Sequence, residues 1–395
     1  MKVAMLINGY FPRIGGAERI LAALTPKLID HDVEPVVVTR KFPGLSAFEV
    51  VNGVSVYRMP IPGPKALASL SFSYSALSKL AEIKPDLLHA HDLFSTMTTA
   101  FLAKKRWHLP VVATIHRSGP LGDIDRLRRK VAGGLRWRLF REAVDRFVVI
   151  SREIDLELAR DGVEPEKRAL ISNGIDVENF QPASQSRKQE LRRRFDLPDA
   201  PVGIFVGRLA PEKRLDHLIA LWPDLREAIP GAILLILGDG PERKRLELHA
   251  GEGVRFAGTS DDVAPYLQAS DLFVLPSAAE GLSVAALEAQ SCGLPVLLTA
   301  VGGARDMVTH GKSGWLIPPD DDAALAEALQ ILLNDEAMRA RLAEQGRQSV
   351  ERDFSLTSVS SRLVSLYQSL LVPEPPVSSP HQEGHSLNDT TEGGR

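Results

Sequence analysis

Residues 271–300 read DLFVLPSAAEGLSVAALEAQSCGLPVLLTA. The first seven, ending near Pro276, form an apolar run of strand length. The last seven, LPVLLTA, form another. Between them Ser283 has the chemistry of a helix N-cap, and 283–292 has the length and composition of a short helix. A strand, a loop, a helix and a second strand make a βαβ unit, so the two strands are expected to lie parallel in one sheet.

Working outward, the same alternation runs through the chain. In the second half, PVGIFVGR (201–208), AILLILGDG (232–240) and GVRFAGT (253–259) read as further buried strands. Helices are expected near 214–229, 241–250, 261–269 and 322–348. In the first half, VAMLI (3–7), EPVVVT (34–39), DLLHAH (86–91), PVVATIH (110–116) and RFVVIS (146–151) are strands, with helices near 16–30, 66–83, 94–107, 125–144 and 152–161. VNGVSVYRMP (51–60) reads as an extra strand or hairpin. The expected fold class is α/β, with two doubly wound, Rossmann-like halves facing a cleft.

The polar stretch NGIDVENFQPASQSRKQELRRR (173–194) is read as the linker, with Ser172-Asn173-Gly174 as a turn at the hinge. The expected domains are 1–175 and 176–354. Residues 355–371 form an apolar-striped helix beyond the second half. Residues 373–395 have four prolines and few apolar residues, which predicts a disordered tail.

Composition sets the class. The chain has 395 residues, 44% hydrophobic and 25% charged, with a net charge of −3, so no global field draws it to nucleic acid or membrane. Cys292 is the only cysteine, which suits a reducing compartment. MKVAMLINGYF lacks the features of a signal peptide, and no run approaches transmembrane length. A cytoplasmic location is the expectation. One local exception is RLRRKVAGGLRWRLFR (126–141), with seven basic residues and no acidic one. Leu135, Trp137, Leu139 and Phe140 interleave with the charges. Such a helix can lie on an anionic inner-leaflet surface; the plainer reading is a solvated helix with one buried stripe. No aromatic platform for nucleic acid accompanies it.

The loop at 278–283 carries the chemistry. Glu280 lies just before the helix and Glu288 about one and a half turns inside it, so their carboxylates are expected roughly 8–12 Å apart. That span suits a diphosphate with a sugar at one end and a ribose at the other. The amides near Gly281–Val284 would face the phosphates. Val284, Ala285, Ser291 and Cys292, small or apolar, surround Glu288 at helical spacing, which turns it toward a ligand cleft. Upstream, FVGRLAPEKRLDHLI (205–219) places Gly207-Arg208 at a strand end and Lys213 five residues on. Arginine can hold phosphate oxygens bidentately and lysine acts as a point charge. Gly238-Asp239-Gly240 permits a sharp bend at the cleft rim, or is a purely structural turn. Phe256, in GVRFAGT, could lie beside a nucleobase.

In the first half, NGYFPRIGGAERIL (8–21) puts Gly15-Gly16 at a helix start, where bare amides could meet a phosphate. It is not the G-x-G-x-x-G fingerprint. His116 ends a strand and is expected to face the cleft. His89, His91 and His116 could together suggest a metal site, but no H-E-x-x-H motif or compact carboxylate cluster supports one.

Together these pieces resemble the GT-B glycosyltransferases, specifically glycosyltransferase family 4. The resemblance rests on Gly-Gly-Ala-Glu-Arg at 15–19, His116, Asn-Gly-Ile-Asp at 173–176, Val-Gly-Arg-Leu at 206–209, Glu212-Lys213, Gly238-Asp239-Gly240 and E-G-L-S-V-A-A-L-E at 280–288. It implies retaining transfer from a nucleotide-diphosphate sugar without an essential metal or other cofactor. By the same resemblance, Arg208 and Lys213 would neutralise the diphosphate, and Glu280 would contact the donor sugar. Gly281, Leu282 and Ser283 would cap the phosphates, Glu288 would hold ribose hydroxyls, and Gly16 would approach from the first half. His116 would bond the sugar near its anomeric carbon, and Gly207, Gly238 and Phe256 would line the donor site. The helix 355–371 resembles the segment that crosses back to the first half. Leu282 and Ser283 stand where the family usually has Phe and Gly or Pro, and Gln290 where it has Met. The expected partners are a UDP- or GDP-sugar and a glycan or lipid-linked acceptor. Rival readings are a nucleotide-sugar epimerase, a phosphorylase, or a degenerate scaffold subunit; Glu280, Arg208 and Lys213 are all retained, unlike in most degenerate members.

Overall fold

A computed structural model of the chain describes residues 1–12, 16–61, 68–119 and 122–372. The first sheet contains β1 (Lys2–Leu6), β2 (Glu34–Arg40), β3 (Phe48–Val51), β4 (Val54–Met59), β5 (Leu87–Ala90), β6 (Val111–Ile115), β7 (Arg146–Val149) and β8 (Arg168–Leu170). The second contains β9 (Val202–Val206), β10 (Ile233–Leu237), β11 (Val254–Gly258), β12 (Leu272–Leu275), β13 (Val296–Thr299) and β14 (Trp315–Ile317). Their orders are β3-β4-β2-β1-β5-β6-β7-β8 and β11-β10-β9-β12-β13-β14. Every pairing is parallel except the β3–β4 hairpin.

Parallel sheets need both faces covered, and the strands show it: every residue of β6, β10, β12 and β13 is buried. Strand order reverses beside β1, between β2 and β5, and beside β9, between β10 and β12. The loops leaving β9 and β12 at their carboxyl ends therefore diverge around a crevice, the usual ligand position in such sheets.

Several expectations need correction. The stretch read as linker contains a helix, Gln185–Arg194, capped by Ser184 and anchored by buried Leu191. Its apolar content is one leucine among charges, so no periodicity announced it. Ser172-Asn173-Gly174 is not a turn; it runs outside regular structure beneath the helix Leu356–Leu371, and a Cβ on Gly174 would lie 2.9 Å from Leu356. The single helix expected at 322–348 is two, Asp322–Asn334 and Glu336–Asp353, because Asp335 caps the second. The helix expected at 125–144 is also two, Asp123–Arg128 and Gly133–Ala143. β8 and β14, at three residues each, are too short to leave a pattern. The tail 373–395 and Gly15 lie outside the described residues.

The helix Leu356–Leu371 returns to the first half. It buries Leu356, Val359, Leu363, Val364 and Tyr367 in a cluster with Val3, Met5, Leu21 and Leu24. The chain passes between halves at two adjacent strands of backbone: Ile175 donates to the Phe354 carbonyl at 2.8 Å, and Leu356 donates to the Ile175 carbonyl at 3.0 Å.

Candidate active site

The loop Ser277–Ser283 leaves β12 and enters the helix Val284–Ser291, whose N-cap is Ser283: its hydroxyl accepts the Ala286 N–H at 3.3 Å. Glu280 Oε1 accepts the Ser277 hydroxyl at 2.8 Å and also pairs with Lys213 Nζ. Lys213 ends a single 3₁₀ turn, Pro211–Lys213, that follows β9. The Ala278 N–H donates to the Glu212 carbonyl at 2.8 Å, fastening the two loops together. The crevice beside β9 thus holds a lysine and a glutamate that satisfy one another. Arg208, at the end of β9, is exposed and has no side-chain partner among the described residues.

Backbone packing explains the glycines behind them. A Cβ on Gly238 would lie 1.9 Å from the Gly207 carbonyl oxygen, and Gly238 has φ +145°. No side chain fits there. Of the two explanations open for Gly238-Asp239-Gly240, the structural turn is therefore sufficient by itself. Phe256, on the edge strand β11, is partly buried against the core of the second half. Leu282 is buried in that core too. Gln290 donates to the Ser313 carbonyl at 2.9 Å.

The first half closes over this loop. A Cβ on Gly281 would stand 2.5 Å from the carbonyl oxygen of His116, the residue after β6. The His116 N–H donates to Asp123 Oδ2 at 2.9 Å. Its ring stacks on His91 at 6.0 Å, and His91 stacks on His89 at 4.2 Å. His89 spends both ring nitrogens, on the Tyr367 hydroxyl at 2.6 Å and the Thr114 hydroxyl at 2.7 Å. A ring so engaged has no lone pair for a metal ion. Burial pushes His89 down to about 3, helped by His116, and lowers His91 and His116 as well. All three are neutral imidazoles at pH 7. The Nε2 atoms of His91 and His116 are buried with no protein partner, and both residues line a narrow cavity beneath the cleft. Unsatisfied buried nitrogens are costly. A hydroxyl group or a water in that cavity would satisfy them.

Glu288 lies at the third corner. Its side chain is 2% exposed, and its Oε1 stands 3.4 Å from Arg19 Nη1 of the first half. Burial raises it to about 7, with Arg19 pulling the other way. Gly16 begins the helix Gly16–Ile29 that carries Arg19, and a Cβ on Gly16 would meet open space. Arg19 belongs to the Gly-Gly-Ala-Glu-Arg stretch, yet its spacing assigns it no role. Nothing local marks it, because its partner is 269 residues away.

The basic segment 126–141 is reshaped by packing. Trp137 and Phe140 are buried in the core, not presented outward. Val131, Leu135 and Leu139 remain exposed. Among the described residues no helix is long and apolar enough to cross a membrane.

Comparison with known proteins finds relatives along most of the chain. The family model described as glycosyl transferases group 1 matches residues 187–349, and that described as glycosyltransferase family 4 matches residues 14–179. The D-inositol 3-phosphate glycosyltransferase of Salinispora arenicola is 30% identical over 92% of this chain and 89% of its own length. The sulfoquinovosyl transferase SQD2 of Arabidopsis thaliana is 30% identical over 73% of this chain, which spans 58% of that protein. The crystal structure of Anabaena Alr3699/HepE in complex with UDP-glucose superposes with a TM-score of 0.79 at 21% identity, covering 93% of this chain and 100% of that one.

Proposed function

The chain belongs to glycosyltransferase family 4 and has its GT-B fold, and from that premise we propose that it is a retaining enzyme moving a hexose-type sugar from a UDP- or GDP-sugar to a glycan or lipid-linked acceptor. The observation that carries this reading is the crevice beside β9, where Lys213 pairs with Glu280 just ahead of the helix Val284–Ser291 and Arg208, at the end of the same strand, stands exposed with no side-chain partner among the described residues.

Breaking a glycosyl–phosphate bond leaves negative charge on the diphosphate and an oxocarbenium-like sugar. Fixed cations stabilise that charge without reorganising. On this reading Lys213 turns from Glu280 to the phosphates, Arg208 joins it, and the amides at Gly281–Ser283 complete the set. Glu280 is then released to a sugar hydroxyl, and Glu288 exchanges Arg19 for ribose hydroxyls. The charge is met by side chains and peptide groups, which supports a reaction without an essential metal. The acceptor hydroxyl attacks on the face from which the diphosphate leaves, and a phosphate oxygen takes its proton. His116 and His91, neutral and unpartnered at Nε2, have the chemistry to accept or donate a hydrogen bond to sugar hydroxyls beneath the cleft. Anabaena HepE, solved with UDP-glucose, makes a UDP-sugar the first donor to try.

A lipid-linked acceptor would be met at a membrane surface. Val131, Leu135 and Leu139, exposed among the basic residues of 126–141, support contact with an anionic leaflet. Co-sedimentation with anionic but not neutral vesicles is the expected result; equal binding to both would count against it.

A thermal-shift screen of UDP-, GDP- and ADP-sugars tests the donor. Ligand binding raises stability by RT ln(1+[L]/Kd). One nucleotide series should stand out, and its shift should vanish in Lys213→Ala combined with Arg208→Ala. No shift with any series would sink the reading.

A further inference from the structure

The two halves also meet at Asp306. This residue lies in the short helix Ala304–Met307 of the second half. Its Oδ2 accepts the backbone N–H of Arg152 at 2.8 Å, and its Oδ1 stands 3.4 Å from Arg152 Nε. Arg152 is the first residue of the helix Arg152–Arg160 in the first half. A helix begins with four N–H groups that have no partner inside it. Ser151, its own N-cap, takes the N–H of Ile154 at 3.4 Å. Asp306 takes another from across the cleft, where a carboxylate also complements the helix dipole. Burial raises the Asp306 carboxyl, offset by these two contacts to Arg152, while nearby Glu153 opposes them.

Asp306 is joined to the candidate donor loop by a short chain of backbone contacts. Its N–H donates to the Gly303 carbonyl at 3.0 Å, and the Gly303 N–H donates to the Gly281 carbonyl at 2.6 Å. A Cβ on Gly302 would lie 2.2 Å from the Glu280 carbonyl oxygen. The segment 302–306 therefore cannot shift without moving residues 280 and 281. On its other side that loop faces the His116 carbonyl.

We propose that Asp306 is a positioning residue: by capping the helix Arg152–Arg160 of the opposite half, it holds the loop Glu280–Ser283 against the end of β6 and keeps the cleft closed. Naming the loop as the donor's rests on the function proposed above; the cap and its effect on closure do not. The side chain of Arg152 is 81% exposed, so the ion pair adds little and the N–H contact carries the effect.

The experiment follows the distance between the halves in the full chain. Cys292 is buried and its thiol is pushed up to about 12, so cysteines introduced at exposed Arg138 and Leu248 can be spin-labelled selectively. Pulsed electron–electron resonance then reads closed and open populations. Loss of a helix cap corresponds to about a fivefold shift toward the open form. That shift is expected in Asp306→Ala. It is also expected in Arg152→Pro, which deletes the N–H while leaving Asp306 intact. Proline is tolerated at a first helical position, and Ser151, at φ −150° and ψ 158°, has the backbone that precedes it. Arg152→Ala and Asp306→Asn, which each keep the N–H contact, should retain the parent distribution. A parent-like distribution in both Asp306→Ala and Arg152→Pro would overturn the proposal. So would an Arg152→Ala shift as large as that of Arg152→Pro, which would assign the effect to the guanidinium. None of these distances depends on a nucleotide, so even a chain that binds no nucleotide sugar would reveal whether Asp306 holds the cleft closed.

Discussion

Arg19 Nη1 in the first half stands 3.4 Å from Glu288 Oε1 in the second, and it is the charge that opposes the effect of burial on that carboxylate. The pair occupies the place where ribose hydroxyls are proposed to sit. Binding a nucleotide would then exchange a contact between the halves for a contact to ligand, which couples the donor to the cleft.

Glu288 makes stability depend on pH. Its carboxyl is raised from 4.5 to about 7 in the folded chain. Between those values the folded state keeps a proton that the unfolded state has lost, so stability falls as pH rises through that window. The loss is on the order of 3 kcal/mol by pH 8. Glu288→Gln should remove this fall and make the variant more stable than the parent at pH 8. Urea midpoints at pH 5 and pH 8 check it; parallel shifts in the two proteins would refute the assignment.

Gly281→Ala tests closure from the other side. Its Cβ would press on the His116 carbonyl, 2.5 Å away, a separation real contacts do not adopt. The halves must part by a fraction of an ångström or more. Misplacement on that scale costs on the order of 100-fold in turnover. The variant should melt within a few degrees of the parent, and unchanged turnover would show that this contact is not needed.

Lys213→Ala removes the proposed leaving-group cation and also takes from Glu280 its charged partner, leaving it the Ser277 hydroxyl. Turnover should fall by about 100- to 1,000-fold with the fold intact. The parent should keep its activity in EDTA. Activity lost to EDTA and restored by manganese would contradict the metal-free reaction.

Tyr367→Phe addresses the crossing helix. The Tyr367 hydroxyl bonds buried His89 Nδ1 at 2.6 Å, and the ring is fully buried. Without the hydroxyl a buried nitrogen loses its partner, which costs about 1–3 kcal/mol. The melting temperature should drop by several degrees, and near-identity with the parent would mean that a water replaces the hydroxyl.

What could be read along the chain was local. The apolar runs at 201–208 and 271–277, the cap at Ser283 and the glycines at 207 and 238 determined the second parallel sheet and the loops leaving it, because strand burial, capping and tight turns depend on neighbouring residues. Glu280 and Lys213 could be nominated from motif spacing, and parallel packing of β9 beside β12 then brought them into contact. The partnership of Arg19 with Glu288, of Tyr367 with His89 and of Asp306 with the helix at Arg152 left no trace in spacing or composition. The inward turn of Trp137 and Phe140 was likewise hidden, since a basic helix with interleaved aromatics reads alike whether its rings meet lipid or core. These were decided only when the two halves folded and the last helix crossed back. Each joins residues far apart in the chain, and a contact of that kind is set by where rigid elements pack, not by the residues on either side of it.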